Sequence, residues 1–385
     1  MGKVNKIIEI LSLVAIIITA FFVGFILFTN VDENFCLTNI SYITNIYNKN
    51  KPIISSNSLP KNNKIPIKLL FFGDMMLDRH VGEKISKYGL NYLFENIATT
   101  SNGINFIDYH LVSCNLEGAV TNNGEHYLPN MSYDFAFEPE LINQLKDYNF
   151  NFFNIANNHL ADQGERGIIE TRQNLDKLGY NYAGCQDGEV GSCSSTIIEI
   201  AGQKIGMAGF SIVYTKFDNL KAEKEINELS STTDLVIVNM HWGVEYEHYY
   251  NKTQQEIAHK LIEAGADIII GHHPHVVQGI EIYEFKRSPT NAAHPNNRKG
   301  IIFYSLGNFI FDQYFSSDTQ EGLAAGINII NEEVIFSLIP IKSKLSQVEL
   351  MAGDEKEIFL NKLISWSEVD EEYDEQILKG QIKTP

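Results

Sequence analysis

Cysteine is scarce in this chain, with four in 385 residues and no Cys-x-x-Cys pair. A zinc site built on paired thiolates is therefore not expected. Cys185 and Cys193 flank the short loop QDGEVGS, and this pair can close as a disulfide in an oxidising compartment. Cys36 and Cys114 lie in unrelated contexts, and we expect free thiols at both positions.

Positive charge is also in short supply, since 30 Lys and Arg stand against 48 Asp and Glu, for a formal net charge of −18. Nucleic acids are held by cationic patches that contact their phosphates, so a nucleic-acid partner is not expected. An acidic polymer would also be repelled, unless a metal ion or a local basic patch receives it.

A long apolar run is present at the N-terminus, where the 19 residues from Ile10 to Phe28 carry no charge. This is close to the roughly 20 residues that cross a bilayer as a helix. Lys3 and Lys6 precede the run, which favours a cytoplasmic N-terminus. A cleaved signal peptide is the alternative, but the run exceeds the roughly 7 to 15 residues of a signal core, and no small-x-small cleavage site follows.

These features predict four segments along the chain. Residues 1–30 form a cytoplasmic end and a transmembrane signal anchor, which makes this a single-pass cell-membrane protein. Residues 31–66, rich in Asn, Ser, Lys and Pro, form an extracytoplasmic tether. Residues 67–366 form the extracytoplasmic domain, and residues 367–385 form an acidic, solvated C-terminal tail.

Short apolar runs alternate with amphipathic segments from residue 67 onward. Runs such as IKLLFFGD and LVIVNMHWG predict buried strands, whereas Gly164–Gly179 and Asn251–Gly265 have helical periodicity and end at a glycine. The segment STIIEIAGQKIGMAGFS predicts a hairpin that turns at Gly202. The sequence therefore predicts an α/β fold, a layered sandwich of mixed β-sheets flanked by helices.

Five of these apolar runs end in residues that bind metals or protons. They are Asp74, Glu117, Asn158 with His159, His241, and the histidine cluster after Ile270. Because the carboxyl ends of strands line the ligand crevice of α/β sheets, we expect these residues to converge. Oxygen and nitrogen donors without thiolates suit one or two divalent ions, with Mn, Fe or Zn as candidates.

The segment GHHPH contains three histidines, His272, His273 and His275. In extended chain, residues two apart face the same way, so we expect His273 and His275 to address one centre. His272 would then point to the opposite face, outside the ligand shell. Six further histidines are expected to be hydrogen-bonded structural groups: His80, His110, His126, His248, His259 and His294.

Six blocks of the sequence, in this order, resemble the CapA family of poly-γ-glutamate capsule biosynthesis proteins. They are FFGDMMLDR (Phe71–Arg79), NLEGAVTN (Asn115–Asn122), NIANNHLADQGERGIIETRQNLDKLG (Asn154–Gly179), HWGVEYE (His241–Glu247), GHHPHVVQG (Gly271–Gly279) and YSLGNFIFDQ (Tyr304–Gln313). The resemblance spans about residues 67–366 and implies a fold similar to the calcineurin-like metallophosphoesterases.

The resemblance also implies roles for the strand-end residues. The metal ligands would be Asp74, Glu117 in the place of the bridging carboxylate, Asn158, His241, His273 and His275, with His159 as the acid or base. Metallophosphoesterases begin with Asp-x-His, but Met75 and Met76 follow Asp74 here. One ligand is thus missing, and the centre is expected to hold a single ion, or a second one weakly.

Four polar residues close to these motifs are candidates for substrate binding: Arg79, Glu245, Tyr246 and Asn308. For the last three, turn chemistry at strand ends is an equal alternative. For Arg79 the alternative is a salt bridge with Asp78.

The resemblance implies a protein that acts in the synthesis, export or processing of an anionic capsular polymer such as poly-γ-glutamate. Its chemistry, if catalytic, would use metal-activated water or a metal-polarised carbonyl, with His159 moving a proton. One alternative is a metal-dependent phosphoesterase or nucleotidase at the cell surface. Another is a non-catalytic accessory subunit that docks with a polymer synthase or export subunit.

Overall fold

The computed structural model describes residues 65–98, 103–129, 131–286, 297–330 and 333–384. The expected signal anchor, Cys36, nearly all of the expected tether and His294 lie outside these residues. Within the described ranges, no helix is both long and apolar enough to span a membrane. Residues from Asn63 onward belong to one compact unit.

The described residues form seventeen strands, numbered here along the chain. They are β1 (Ile67–Met75), β2 (Leu111–Leu116), β3 (Ala119–Val120), β4 (Ala136–Phe137), β5 (Phe150–Asn154), β6 (Asn181–Ala183), β7 (Ser195–Ile200), β8 (Gln203–Ser211), β9 (Leu235–His241), β10 (Ile268–His272), β11 (Ile280–Lys286), β12 (Asn297–Phe303), β13 (Asn308–Ile310), β14 (Glu321–Ile330), β15 (Glu333–Lys344), β16 (Gln347–Leu350) and β17 (Gln381–Thr384).

Eight α-helices connect or cover these strands in the same part of the chain. They are α1 (Arg79–Tyr88), α2 (Asn91–Ala98), α3 (Pro139–Gln144), α4 (Gly164–Leu178), α5 (Asn219–Ser230), α6 (Lys252–Ala264), α7 (Gly353–Trp366) and α8 (Glu371–Leu378). Single 3-10 turns occur at Phe106–Asp108, Asn122–Gly124, Leu145–Tyr148 and Asp318–Gln320.

Two large mixed sheets contain most of the strands. The first has the order β16-β15-β14-β1-β2-β5-β6, with β13 paired to β1 and β17 paired to β15. The second has the order β11-β12-β10-β9-β8-β7. The strands β1-β2-β5-β6 of the first sheet run parallel, with β14 antiparallel to β1. The strands β8-β9-β10-β12 of the second sheet also run parallel, with β7 and β11 antiparallel at the two edges. Parallel neighbours end at one edge, which brings their carboxyl-terminal residues together.

The alternation of side chains along β1 explains how the layers pack. Leu70 and Phe72 point to one face, into a core shared with Phe94 of α2. Leu69 and Phe71 point to the other face and pack against the second sheet. The far side of the second sheet is covered by α5 and α6 through a third core. The predicted sandwich of mixed sheets flanked by helices is therefore confirmed for the described residues.

Local elements follow the caps and turns in the sequence. Helix α4 ends at Gly179, whose φ of 75° is left-handed, and α6 begins with a capping box between Asn251 and Gln254. The hairpin of β7 and β8 turns at Ala201 and Gly202, which both have positive φ. The end of α4 and the hairpin turn were both predicted from the position of a glycine in the sequence.

The C-terminal segment differs from the prediction of a solvated tail. Residues 371–378 form α8, and β17 pairs antiparallel with β15 as an edge of the first sheet. Ile377 and Ile382 are fully buried, and Tyr373 is 5% exposed. The prediction is wrong because these apolar residues are spaced to reach the core between many surface carboxylates.

Candidate metal centre

The carboxyl ends of both sheets meet at one buried cluster of polar side chains. Asp74 lies near the end of β1, and Glu117 directly follows β2. His241 ends β9, and the turn after β10 contributes His273 and His275. Asp74, Glu117 and His241 are fully buried, and both turn histidines are 3% exposed. The structure thus brings together residues that lie up to two hundred positions apart in the chain.

Asp74 is held as a carboxylate by several donors. Its Oδ1 accepts from Nδ2 of Asn115 at 2.8 Å, and its Oδ2 accepts from the backbone N–H of His273 at 3.1 Å. Burial alone raises the pKa of Asp74, but the hydrogen bonds with His272 and His275 outweigh it, so the pKa lies well below its ordinary value. The group therefore carries a negative charge that a metal ion can use.

Glu117 has the opposite electrostatic environment. Burial and the nearby charge of Asp74 raise its pKa well above the ordinary value. Its Oε2 accepts from Nδ2 of Asn115 at 3.2 Å, while Oε1 is buried and has no hydrogen-bond partner among the described residues. A bound cation would lower this pKa and give Oε1 a partner, so the environment of Glu117 fits a metal ligand.

His241 connects the two sheets. Its Nε2 lies 2.7 Å from Oδ1 of Asn158, and its Nδ1 lies 3.2 Å from Nδ2 of Asn115. Burial, followed by the charge of His273, lowers the pKa of His241 well below its ordinary value. The ring is therefore neutral, as metal coordination requires. Donor atoms of Asp74, Glu117 and His241 all lie within 4.8 Å of one another.

His273 and His275 converge by a route that differs from the prediction. Strand β10 stops at His272, and His273 and His275 have left-handed φ values of 95° and 59°. The two rings are 5.8 Å apart between centroids, and that of His273 is 4.8 Å from His241. Extended geometry was the wrong reason for this convergence, because a strained turn positions both rings.

The two rings have different electrostatic environments. Burial, followed by the charge of His275, lowers the pKa of His273 to about 3. Burial also lowers the pKa of His275, but the charges of Glu117 and Asp74 outweigh it and raise the value to about 9. Nδ1 of His273 is buried without a hydrogen-bond partner in the described part of the chain. The electron pair on Nδ1 of His273 is thus available to an ion.

His272 was predicted to point away from the centre, but its side chain faces the candidate ligands. Its Nδ1 lies 3.5 Å from Oδ1 of Asp74, and its Nε2 lies 3.3 Å from Oδ1 of Asn239. The prediction of an opposite-face position is wrong because the chain leaves the extended conformation directly after this residue. His272 contacts a candidate ligand and is fully buried.

His159 lies at the side of the cluster and is oriented by Asp162. The His159 Nδ1 and Asp162 Oδ2 atoms are 2.7 Å apart, and Nε2 of His159 is 3.7 Å from Oε1 of Glu117. The ring packs on Phe135, with a centroid distance of 4.2 Å. Burial raises the pKa of Asp162. The arrangement leaves Nε2 facing the centre, where it can hold or release a proton.

Arg79 is not the free cation that a polyanion would need. Its guanidinium forms an ion pair with Asp312, and Nε donates to Oδ2 of the same residue at 3.0 Å. It also lies 5.0 Å above the ring of Phe135. The alternative pairing with Asp78 is wrong, because Asp78 caps α1 and contacts His126 instead.

The other three candidates for substrate binding occupy different environments. Glu245 and Tyr246 are exposed, and the Tyr246 ring lies 6.2 Å from that of His275. Asn308 is 2% exposed, and its Oδ1 lies 3.0 Å from Nδ1 of His275. Asn308 is thus buried against His275, whereas Glu245 and Tyr246 lie at the surface.

Histidines expected to be structural have protein partners wherever they are described. Their contacts are His80 with Glu83, His110 with the Lys68 N–H, His126 with Asp78 and Asp134, His248 with the Val277 carbonyl, and His259 with Glu281. The Cys185–Cys193 disulfide is present, and Cys114 is a buried free thiol.

Asn115 is the principal site residue that the sequence analysis missed. Its Nδ2 contacts Asp74, Glu117 and His241, while its Oδ1 accepts from Nδ2 of Asn154 at 2.9 Å. The sequence offered one indication. Asn115 lies two residues before Glu117, so both side chains leave the strand on the same face.

Fold and site together define an α/β protein of two packed mixed sheets with a buried cluster of carboxylate, amide and imidazole donors. The family model described as bacterial capsule synthesis protein PGA_cap matches residues 68–313, more than half of the chain, and the chain belongs to this family. The assignment to the CapA family from sequence motifs is thereby confirmed.

Relatives and one solved structure extend this comparison. Capsule biosynthesis protein CapA of Bacillus anthracis is 28% identical over 300 residues, which make up 73% of this chain and 68% of that protein. PGA biosynthesis protein CapA of Bacillus subtilis (strain 168) is 32% identical over 267 residues, 66% of this chain and 65% of that protein. A hypothetical protein from Thermus thermophilus superposes with a TM-score of 0.40 and 13% identity, covering 74% of this chain and 98% of that one. That last likeness is too weak to bear on function.

Proposed function

We propose that this protein acts in the synthesis, export or processing of an anionic capsular polymer such as poly-γ-glutamate, through a divalent metal centre. Membership of the capsule synthesis family and the names of two CapA relatives support the polymer class. The observation that carries the metal centre is the convergence of Asp74, Glu117 and His241, whose donor atoms lie within 4.8 Å of one another.

The residues present fit a metal ion on chemical grounds. Buried polar atoms normally have hydrogen-bond partners, yet Oε1 of Glu117 and Nδ1 of His273 have none in the described ranges. Both atoms belong to side chains of the cluster, and both are donor types that Mn, Fe and Zn accept. The ligands would be Asp74, Glu117, Asn158, His241, His273 and His275.

A bound divalent ion would supply positive charge for an anionic substrate and lower the pKa of bound water. This charge matters because the chain has a net charge of −18 and Arg79 is neutralised by Asp312. Without the ion, the cluster contains the buried carboxyl groups of Asp74 and Glu117 and the exposed carboxyl group of Glu245. An anionic polymer would be repelled from such a cluster.

His159 is the residue that we assign to proton movement. Its Nδ1 is occupied by Asp162, so the proton exchanged with a reacting group would be held at Nε2. Contact with Phe135 restricts the ring, and 15% exposure of the side chain leaves a path to water. The imidazole can thus exchange a proton with solvent and with a group bound over Glu117.

The membrane location is part of the same proposal and rests on the apolar run Ile10–Phe28. In cells that express the full chain, fractionation should place the protein in the membrane. A protease added outside intact cells or protoplasts should digest it. Recovery in the cytosol, or protection from the protease, would contradict the proposed location.

Metal analysis of the full chain tests the centre. The protein should be purified in detergent without a histidine tag, and its metals measured by mass spectrometry. We expect at least one equivalent of Mn, Fe or Zn per chain in the wild type, and a loss of about one equivalent in His241→Ala. His80→Ala is the matched control, since His80 is an exposed histidine paired only with Glu83. A wild type without stoichiometric metal would overturn the catalytic proposal and leave an accessory role.

A further inference from the structure

Glu245 lies at the mouth of the cluster, four residues after His241 on the loop that follows β9. We propose that Glu245 is a metal ligand and that Glu245, His273 and His275 form a second, outer ion site. The inference rests on the proposed metal-dependent function and deepens it. It assigns to Glu245 a role that the metallophosphoesterase pattern does not contain.

The distances suit such a site. One carboxylate oxygen of Glu245 and one ring nitrogen each of His273 and His275 lie within 4.8 Å of one another. Ligands on opposite sides of a transition-metal ion, each bonded at about 2.1 Å, are about 4.2 Å apart. Three donors cannot all lie opposite one another, so side-chain shifts of under about 1 Å would be needed to bring them onto one ion. The inner donors are Asp74, Glu117 and His241. His275 lies between the two sets, with its Nδ1 3.3 Å from Oδ2 of Asp74 and its Nε2 3.8 Å from Oε1 of Glu117.

A buried histidine nitrogen points to a ligand at this position. His273 is 3% exposed, and its Nδ1 has no hydrogen-bond partner within the described ranges. A buried, unpaired ring nitrogen costs free energy unless something binds it. Glu245 in turn contacts the hydroxyl of Tyr246, and it forms no ion pair with a lysine or arginine in the part of the chain that the structure describes. Its charge remains available to an ion.

The backbone fixes the two contributing loops against each other. The N–H of Tyr246 donates to the carbonyl of Pro274 at 2.8 Å. This hydrogen bond links the loop that carries Glu245 to the turn that carries His273 and His275. Tyr246, His273 and His275 all have left-handed φ values, of 68°, 95° and 59°. Non-glycine residues adopt this conformation at a cost, and such strain is concentrated at functional sites.

Met76 does not supply the ligand that the metallophosphoesterase pattern has at its position. Met76 stands where a metallophosphoesterase would have its first histidine, and its sulfur accepts a hydrogen bond from the N–H of Asp78 at 3.0 Å. This sulfur is directed to the start of α1 and not to the centre. Met76 therefore offers no ligand to the centre, whereas Glu245 places a carboxylate beside His273 and His275.

Two imidazoles and one carboxylate suit Fe, Mn or Zn and leave further coordination positions open. Because Glu245 is exposed while Asp74 and Glu117 are fully buried, those open positions would face solvent. The outer ion would then be the one that contacts a carboxylate of an arriving anionic polymer.

The test counts ions per chain in the full-length protein, stripped with a chelator and titrated with Mn²⁺ or Zn²⁺ by calorimetry. We expect two ions in the wild type and one in Glu245→Gln, or a second ion bound at least about a hundredfold more weakly. Glu247→Gln is the matched control, since Glu247 is an exposed acid two residues away in the same loop. It should retain two ions, and Glu245→Asp should recover part of the lost affinity.

The outcomes separate this inference from the proposed function. Two ions of unchanged affinity in Glu245→Gln would overturn the outer site while the metal centre stands. One ion in the wild type, unaffected by Glu245→Gln, would overturn it as well. No ion in the wild type would overturn both proposals. Circular dichroism of each variant would show that the fold is retained, as expected for an exposed side chain.

Discussion

Nε2 of His241 and Oδ1 of Asn158 are 2.7 Å apart, although they follow strands of different sheets. This contact lies where the carboxyl ends of the two sheets meet. The site is therefore assembled only when the sheets pack on each other, because neither sheet alone carries the whole donor set. Packing between the sheets, through residues such as Phe71 and Ile237, thus determines the geometry of the centre.

Asn115 should be important for the stability of the metal-free protein. Its amide donates to the buried carboxyl groups of both Asp74 and Glu117, and it thereby separates two acidic groups in the core. We expect Asn115→Ala to lower the free energy of unfolding by about 2–3 kcal/mol in chelator, measured by urea denaturation. Asn105→Ala, at an exposed asparagine bonded to Asp108, should change it by less than about 0.5 kcal/mol. Equal effects at the two positions would contradict this role.

His159 should affect polymer formation without affecting metal content. If its Nε2 transfers a proton, His159→Gln should lower the amount of cell-surface polymer by at least about a hundredfold, in cells that depend on this protein. The metal content of the purified variant should match the wild type, because no ligand is removed. His80→Gln serves as the control. Loss of metal in His159→Gln would show that His159 is a ligand instead.

Asp187 predicts a pH-dependent contribution to stability from a carboxylate that is not one of the candidate ligands. Burial raises the pKa of Asp187, but hydrogen bonds from Ser211 and from the N–H groups of Val213, Tyr214 and Thr215 outweigh it. The net pKa is lowered, so the stabilisation is fully present above the unfolded pKa of about 4. It is lost as the pH falls through the lower pKa of the folded state.

We therefore expect Asp187→Asn to destabilise the protein by about 1–2 kcal/mol at pH 7, and by progressively less below about pH 4. Thermal unfolding at several pH values measures this difference. Glu199→Gln, at an exposed carboxylate on β7, should show no such pH dependence. A destabilisation of Asp187→Asn that is constant from pH 7 to pH 3 would contradict the assignment.

Much of the candidate site could be predicted because each polar group directly follows an apolar run. Asp74, Glu117 and His241 each stand at the end of a strand, and strand ends converge in any layered α/β fold. The turn after β10 could not be predicted in this way. The expectation that residues two apart face the same way assumes an extended chain, whereas His273 and His275 have left-handed φ values. Contacts with residues distant in the sequence hold that conformation, among them the hydrogen bonds from the His273 N–H to Asp74 and from the Tyr246 N–H to the Pro274 carbonyl.

Two other features were hidden from local patterns for similar reasons. Arg79 lies beside Asp78 in the sequence, but its partner Asp312 is more than two hundred residues away. The charged segment after residue 367 looks like a solvated tail when only its composition is considered. The role of its three buried apolar residues, Tyr373, Ile377 and Ile382, becomes visible only beside β15 and the core between the sheets.

The C-terminal segment gives the clearest comparison between neighbouring residues. Ile377 is fully buried in the core between the sheets, whereas Leu378 is 44% exposed. Truncation of Ile377 to alanine removes buried methyl and methylene groups and leaves a cavity, so it should cost about 2–4 kcal/mol in the free energy of unfolding. Leu378→Ala should cost less than about 0.5 kcal/mol. Urea denaturation of both variants decides the matter, because a solvated tail would make the two substitutions equally harmless.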